Sequence, residues 1–167
     1  NAKDFGTNVC TGSDDTTAIS NAIAASQSAG GAIVQLPGGT CRVSCIGAAC
    51  NIFTSTSAVN IRGVGNGAGP GPAAQSNSNV TQLLIQCTNC TLFNITSAYP
   101  SIFKDFQVNV DPANRPHTGN AIYLAGTGTS TVANFWVENV GFTNVGTPIR
   151  ALRPGWGTIT KSYFDSW

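Results

Sequence analysis

Short apolar segments recur along this chain at uneven intervals, and that recurrence limits the folds open to it. The run Val59-Asn60-Ile61-Arg62-Gly63-Val64-Gly65 is echoed at residues 101–108, 135–142 and 158–164. Each reads apolar, charged, small or polar, then apolar. They align on Gly63, Asp105, Asn139 and Ser162. Separations between about 20 and 45 residues are those of repeat architectures whose connecting loops vary. Further short strands are expected at residues 81–86, 91–95, 121–124 and 148–152, so three strand faces per turn of a coil is a natural parse. Stacked in parallel, equivalent positions lie about 4.8 Å apart. Apolar alternates then form a continuous core, polar alternates face water, and both ends need covering. Gly63, Asp105, Asn139 and Ser162 should share one corner, where Asp and Asn bond neighbouring backbone. Glu138 aligns with Arg62, Lys104 and Lys161, which predicts an outer ion-pair row of small energetic worth.

The first 46 residues carry a different pattern. Ser13, Asp14 and Asp15 are helix-opening types, and Asp14 and Asp15 are read as structural caps. Ala18, Ile19, Ala22, Ile23 and Ala25 make one helical stripe, which Gly30 and Gly31 end. Residues 32–36 are a strand, turned by Pro37-Gly38-Gly39 into residues 40–43. Here Asp4-Phe5-Gly6, then DDTTAISNAI, then GGAIVQLPGGT, resemble the opening module of the pectate-lyase-like right-handed parallel β-helices. That group includes phage tailspikes, capsule depolymerases, and secreted polysaccharide lyases and glycosidases. The resemblance is specific over residues 3–44 and diffuse beyond. It implies an all-β, right-handed single-stranded parallel β-helix with an N-terminal capping α-helix. Residues 1–46 would be the loop, helix and first strand, and 47–167 the first turns of one continuous domain. The leading function it implies is a tailspike or tail-fibre protein that binds, and where catalytic depolymerises, cell-surface polysaccharide. Such proteins are usually homotrimers that meet other virion proteins. The alternatives are a secreted polysaccharide lyase or glycoside hydrolase, and a non-catalytic structural or adhesive protein. The setting is extracellular or the virion surface. The chain starts at Asn1 without Met and ends at Trp167 directly after a strand, so further sequence is expected.

Six cysteines, Cys10, Cys41, Cys45, Cys50, Cys87 and Cys90, are read as disulfides in an oxidising compartment, with fifteen pairings open. A zinc site from Cys87 and Cys90 with Cys41 or Cys45 lacks clean spacing, and free buried thiols are a third reading. The predicted set therefore holds no metal and no cofactor; calcium enters only if the chemistry is that of a lyase. The chain departs from the family pattern at Cys10 and at Cys41. Against that pattern, the paired departures imply a bond tying the leading loop to the first strand.

Charged residues make up only 9 % of the chain, and the net charge is +1. Solubility must come from the 49 Ser, Thr and Asn residues. No basic cluster exists, which argues against a nucleic-acid partner, and no apolar run is long enough to span a membrane. With seven carboxylates in all, the facing acid pair that glycoside hydrolysis requires is scarce. Asp111, Arg115 and His117 share one polar loop, the only place with an acid, a guanidinium and an imidazole within seven residues. These three and Glu138 are the candidate catalytic residues, with His117 expected exposed. Arg150, Arg153 and Trp156 are the candidate carbohydrate-binding set, because guanidinium and aromatic faces suit sugars. Trp136 is expected in the core or at a subunit contact.

Overall fold

The computed structural model describes residues 1–6, 8–45, 50–66, 79–96, 100–126, 134–152 and 155–165. After a 3₁₀ turn at Ala2–Phe5 come β1 (Thr11–Asp14), helix α1 (Thr16–Ser28), β2 (Val34–Gln35), β3 (Gly39–Val43), β4 (Cys50–Ser55), β5 (Asn60–Arg62), β6 (Thr81–Ile85) and β7 (Cys90–Thr96). Then follow β8 (Ser101–Val110), a second 3₁₀ turn at Pro112–Asn114, β9 (Asn120–Ala125), β10 (Phe135–Thr143), β11 (Thr147–Leu152), β12 (Gly157–Thr160) and β13 (Tyr163–Asp165).

The larger sheet has nine strands with a main path β1-β3-β6-β8-β10-β12; β5 joins β2 to β8, and β13 adds to β10. The smaller sheet runs β11-β9-β7-β4. Every pairing is parallel. The expected right-handed parallel β-helix is corrected by this arrangement. The strands form two separate parallel sheets, neither closed nor curled, and with α1 they make a mixed α/β-like architecture. The reason lies in β8 and β10. The first part of β8 pairs with β5 and its last part with β6, while β10 likewise serves β12 and then β13. Segments that read as separate faces are thus continuous within one broad sheet.

Both long strands carry a left-handed residue, Asp105 (φ 60°) and Asn139 (φ 55°). Asp and Asn tolerate that conformation best among residues with a Cβ, and Asn139 Nδ2 donates to Asp105 Oδ1 at 2.8 Å. The fourth member of this corner is Lys161 (φ 50°), not Ser162. Glu138 pairs with Thr160 and Gly141 with Tyr163, so the last repeat sits one residue earlier than its sequence alignment. Ser162 instead donates to Thr160 O and accepts from Val140 N.

One apolar cluster runs from Ala2 to Val145 and crosses residue 46; the chain around the expected internal boundary lies outside the described residues. Helix α1 buries Ile19, Ala22 and Ile23 in that cluster, each large side chain worth about 1.5–3 kcal/mol in removed apolar surface. The two sheets meet at aromatic rings. Phe53 and Phe93 stack in register within the smaller sheet, centroids 5.4 Å apart. Phe103 of the larger sheet lies 5.2 Å from Phe93.

Capping of α1 differs from expectation. Asp15 holds the N-cap position but its side chain makes no capping bond; Asp14 Oδ1 accepts from Thr16 N at 2.9 Å, and Asp14 Oδ2 accepts from Ser44 Oγ. Asp15 is 4 % exposed. Burial raises its pKa, against the pull of the Cys10 and Arg42 backbone groups. Two strands escaped the sequence reading. β1 is exposed at all four positions, so it has no alternation to detect. β4 buries only Phe53 and Ser55.

Three disulfides form, Cys10–Cys41, Cys45–Cys50 and Cys87–Cys90. Among the described residues no helix is long and apolar enough to cross a membrane. Composition predicts a loop at residues 65–79 and a tight turn at residues 126–130; both lie almost wholly outside the described residues.

Candidate functional site

The alternation that buries Cys41 and Val43 of β3 turns Thr40 and Arg42 outward. The same register carries polar side chains across the larger sheet, among which Gln82, Gln107, Asn109 and Thr143 are buried. Thr40 pairs with Gln82, Gln82 with Gln107, and Arg42 with Leu84, which pairs with Asn109. Their side chains form a ladder: Thr40 Oγ1 to Gln82 Oε1 at 3.4 Å, Gln82 Nε2 to Gln107 Oε1 at 3.5 Å, and Gln107 Nε2 to Thr143 Oγ1 at 3.4 Å. Parallel strands in register make such ladders automatically, because equal positions fall side by side.

A groove of about 590 Å³ runs over this face, lined by Thr40, Arg42, Gln82, Asn109, Asp111 and Arg115 among others. Within it Arg42 Nη1 lies 3.2 Å from Asp111 Oδ2, which Gln86 Nε2 also approaches at 3.4 Å. Asp111 Oδ1 caps the 3₁₀ turn by accepting from Ala113 N at 3.1 Å. That backbone bond, with Gln86 and Arg42, outweighs partial burial and holds the Asp111 carboxyl below its usual range. Asp111 is therefore an ionised acceptor. Arg115 folds back on its own loop, giving Nε and Nη2 to Val110 O at 3.1 and 2.9 Å and Nη2 to Asn109 Oδ1 at 3.3 Å.

The structure brings Asp111 and Arg115 to one groove but places His117 elsewhere. His117 is 4 % exposed, not the surface residue the Pro-flanked loop predicts. Its Nδ1 accepts from Gly146 N at 3.3 Å and its Nε2 lies 3.7 Å from Cys90 Sγ. Burial lowers its pKa, only partly offset by the Cys90 backbone. The folded state therefore binds this proton less readily than the unfolded chain. The sign follows: its contribution to stability is complete above the unfolded value of about 6.5 and is lost as pH falls through the lowered folded value. Urea midpoints are expected to fall between pH 7.5 and pH 5.5, a window in which no carboxylate ordinarily titrates. His117→Gln should flatten that slope.

Glu138 lies in a different groove, of about 300 Å³, with Ile33, Arg62, Ile102, Lys104 and Trp136. Lys104 Nζ sits 2.8 Å from its Oε2 and Lys161 Nζ 3.5 Å from its Oε1. The Lys104 hydrogen bond comes first among the causes that lower its pKa, with partial burial opposing and Lys161 adding. A carboxylate so held has no proton to donate. Trp136 is 45 % exposed, because alternation buries Phe135 and Val137 and turns it outward; of the two places expected for it, the core is ruled out.

Of the predicted sugar-binding trio, Arg150 and Trp156 fall among the described residues. Arg150 lies on β11 of the smaller sheet, 5.7 Å over the Tyr123 ring, in a polar groove with Asn51, Thr91 and Asn120. Trp156 is 57 % exposed on the approach to β12 of the larger sheet. Arg153 lies outside the described residues. The sequence reading missed Arg42, Gln82 and Asn109. Their signal was the polar position between two apolar ones, visible at Cys41-Arg42-Val43 and Val108-Asn109-Val110.

The residues of the main groove can bind through amides, hydroxyls and one ion pair. Among the described residues lining it, Asp111 is the one carboxylate. No family model, curated protein or solved structure matches the chain.

Proposed function

We propose that this chain is an extracellular module that binds polysaccharide along the outer face of the larger sheet, without cleaving it there. The observation that carries this reading is the open groove in which the Arg42–Asp111 pair lies among Thr40, Gln82, Asn109 and Arg115. A polymer repeats its hydroxyls along its length. A groove lined by polar groups of β3, β6 and β8 offers such a polymer several partners. Binding is favoured over hydrolysis because cleavage needs a protonated acid facing a second carboxylate, and the groove offers one carboxyl, held ionised. Three disulfides fit an oxidising compartment.

Affinity electrophoresis through gels containing bacterial capsular polysaccharides or pectins tests the reading. At least one polymer is expected to retard the protein without release of reducing ends. Arg42→Ala, with its folded state checked by circular dichroism, should weaken that retardation about tenfold, the loss expected when one charge-assisted hydrogen bond goes. Free migration through every polymer would refute the proposal.

A further inference from the structure

Four of the six cysteines converge at one place that the polysaccharide groove does not use. Cys50 and Cys90 open β4 and β7 and are register partners. Cys45 and Cys87 precede them in the chain, and the sulfurs of Cys45, Cys87 and Cys90 all lie within 4.8 Å of one another. Two disulfides, Cys45–Cys50 and Cys87–Cys90, thus sit in contact. They are unequal. Cys45 and Cys50 are partly exposed, whereas Cys87 is 8 % and Cys90 2 % exposed. His117 completes the cluster. Because its Nδ1 accepts from Gly146 N, the neutral ring keeps its proton on Nε2, the atom facing Cys90 Sγ.

We propose that these four cysteines are an exchanging disulfide couple, in which reduction by an external dithiol leaves a Cys45–Cys87 bridge with Cys50 and Cys90 as free thiols. A thiolate of the dithiol attacks Cys50 Sγ; the Cys45–Cys50 bond breaks and its electron pair goes to Cys45. The Cys45 thiolate attacks Cys87 Sγ beside it, and the Cys87–Cys90 bond breaks with its electron pair on Cys90. The second sulfur of the dithiol then closes on the first, releasing Cys50, and the reductant leaves as a cyclic disulfide. The protein gains two electrons, and the dithiol's two protons pass through solvent to Cys50 and Cys90. Exchange runs faster toward the better-stabilised leaving thiolate. Here that is Cys90, which receives the Nε2–H of His117. The exposed pair is the entry, and the buried pair is reached through it.

The third disulfide is an internal control. Cys10 and Cys41 are 2 % and 0 % exposed, and their sulfurs adjoin the Asp15 carboxyl, so an arriving thiolate has no open path to them.

The experiment is partial reduction of the whole chain with dithiothreitol at one equivalent, trapping with N-ethylmaleimide, and peptide mapping at acid pH. The expected product carries label on Cys50 and Cys90, a Cys45–Cys87 cross-link, and an intact Cys10–Cys41 bond. His117→Phe, which keeps bulk and removes the N–H, should lower the yield of that isomer about fivefold, one ordinary hydrogen bond's worth. Label on Cys45 and Cys50 with Cys87–Cys90 intact would overturn the proposal. So would label on Cys87 and Cys90 with Cys45–Cys50 intact, prior opening of Cys10–Cys41, or no labelling at all. The wild-type map decides the matter even if the His117 variant does not fold.

Discussion

Replacing Phe93 with alanine is expected to destabilise the fold by about 3–5 kcal/mol, read as a shift in the urea midpoint with an unchanged slope. Phe93 is fully buried and touches Phe53 within its own sheet and Phe103 from the other. Truncation removes its transfer free energy and opens a cavity between two layers of backbone. Hydrogen-bonded strands hold those layers in place, so they cannot collapse to fill it. Two aromatic contacts, each worth about 0.5–1.5 kcal/mol beyond area burial, go with it. Phe93→Leu keeps most of the volume and should cost less than half as much. A loss below 1 kcal/mol for Phe93→Ala would mean that the two sheets do not depend on this ring stack.

Removing the Cys10–Cys41 bond by the double substitution Cys10→Ala and Cys41→Ala is expected to cost about 3–4 kcal/mol. The bond closes a loop with a sequence separation of 31, which contains β1 and all of α1. The unfolded chain gains that loop's freedom once the link is gone. The same relation gives about 2 kcal/mol for Cys45–Cys50 and for Cys87–Cys90, whose separations are 5 and 3. Calorimetry on the three double variants checks the order as well as the size. A drop in melting temperature of roughly 10 °C is expected for the first pair, at about 2–4 °C per kcal/mol for a domain of this length. If the short-loop variants proved the less stable ones, loop entropy would not be what this bond supplies.

The energetic ranking agrees with the chemistry proposed for the cysteines. The bond with the longest loop is buried beside a carboxyl, and the two with short loops lie in mutual contact. Exchange between the latter leaves the helix-bearing loop tied to β3.

Much of this was legible in the residues. Alternation in Ser101–Val110 and Phe135–Thr143 marked strands that do stack in parallel, since period-2 apolar positions can only be buried on one face of a sheet. Of the helical stripe Ala18, Ile19, Ala22, Ile23 and Ala25, the fold of α1 buries Ile19, Ala22 and Ile23, leaves Ala18 and Ala25 half-buried, and adds Ser26. The placing of Glu138 between Lys104 and Lys161 also followed from register, although Lys161 reaches it from the corner and not from the row.

Tertiary structure alone decided the rest. How parallel segments divide into sheets depends on which edge each strand finds. That is a matter of chain path between segments, and local pattern does not carry it; the reading as a coil failed there. Asp111, Arg115 and His117 lie close in sequence, yet one loop sends the first two into a solvent groove and buries the third against a sulfur. Proximity along a chain fixes distance but not direction. Residue types and their period determine which side chains leave water. The long-range strand partners determine which of them meet, because only those pairings set where each segment's two faces point.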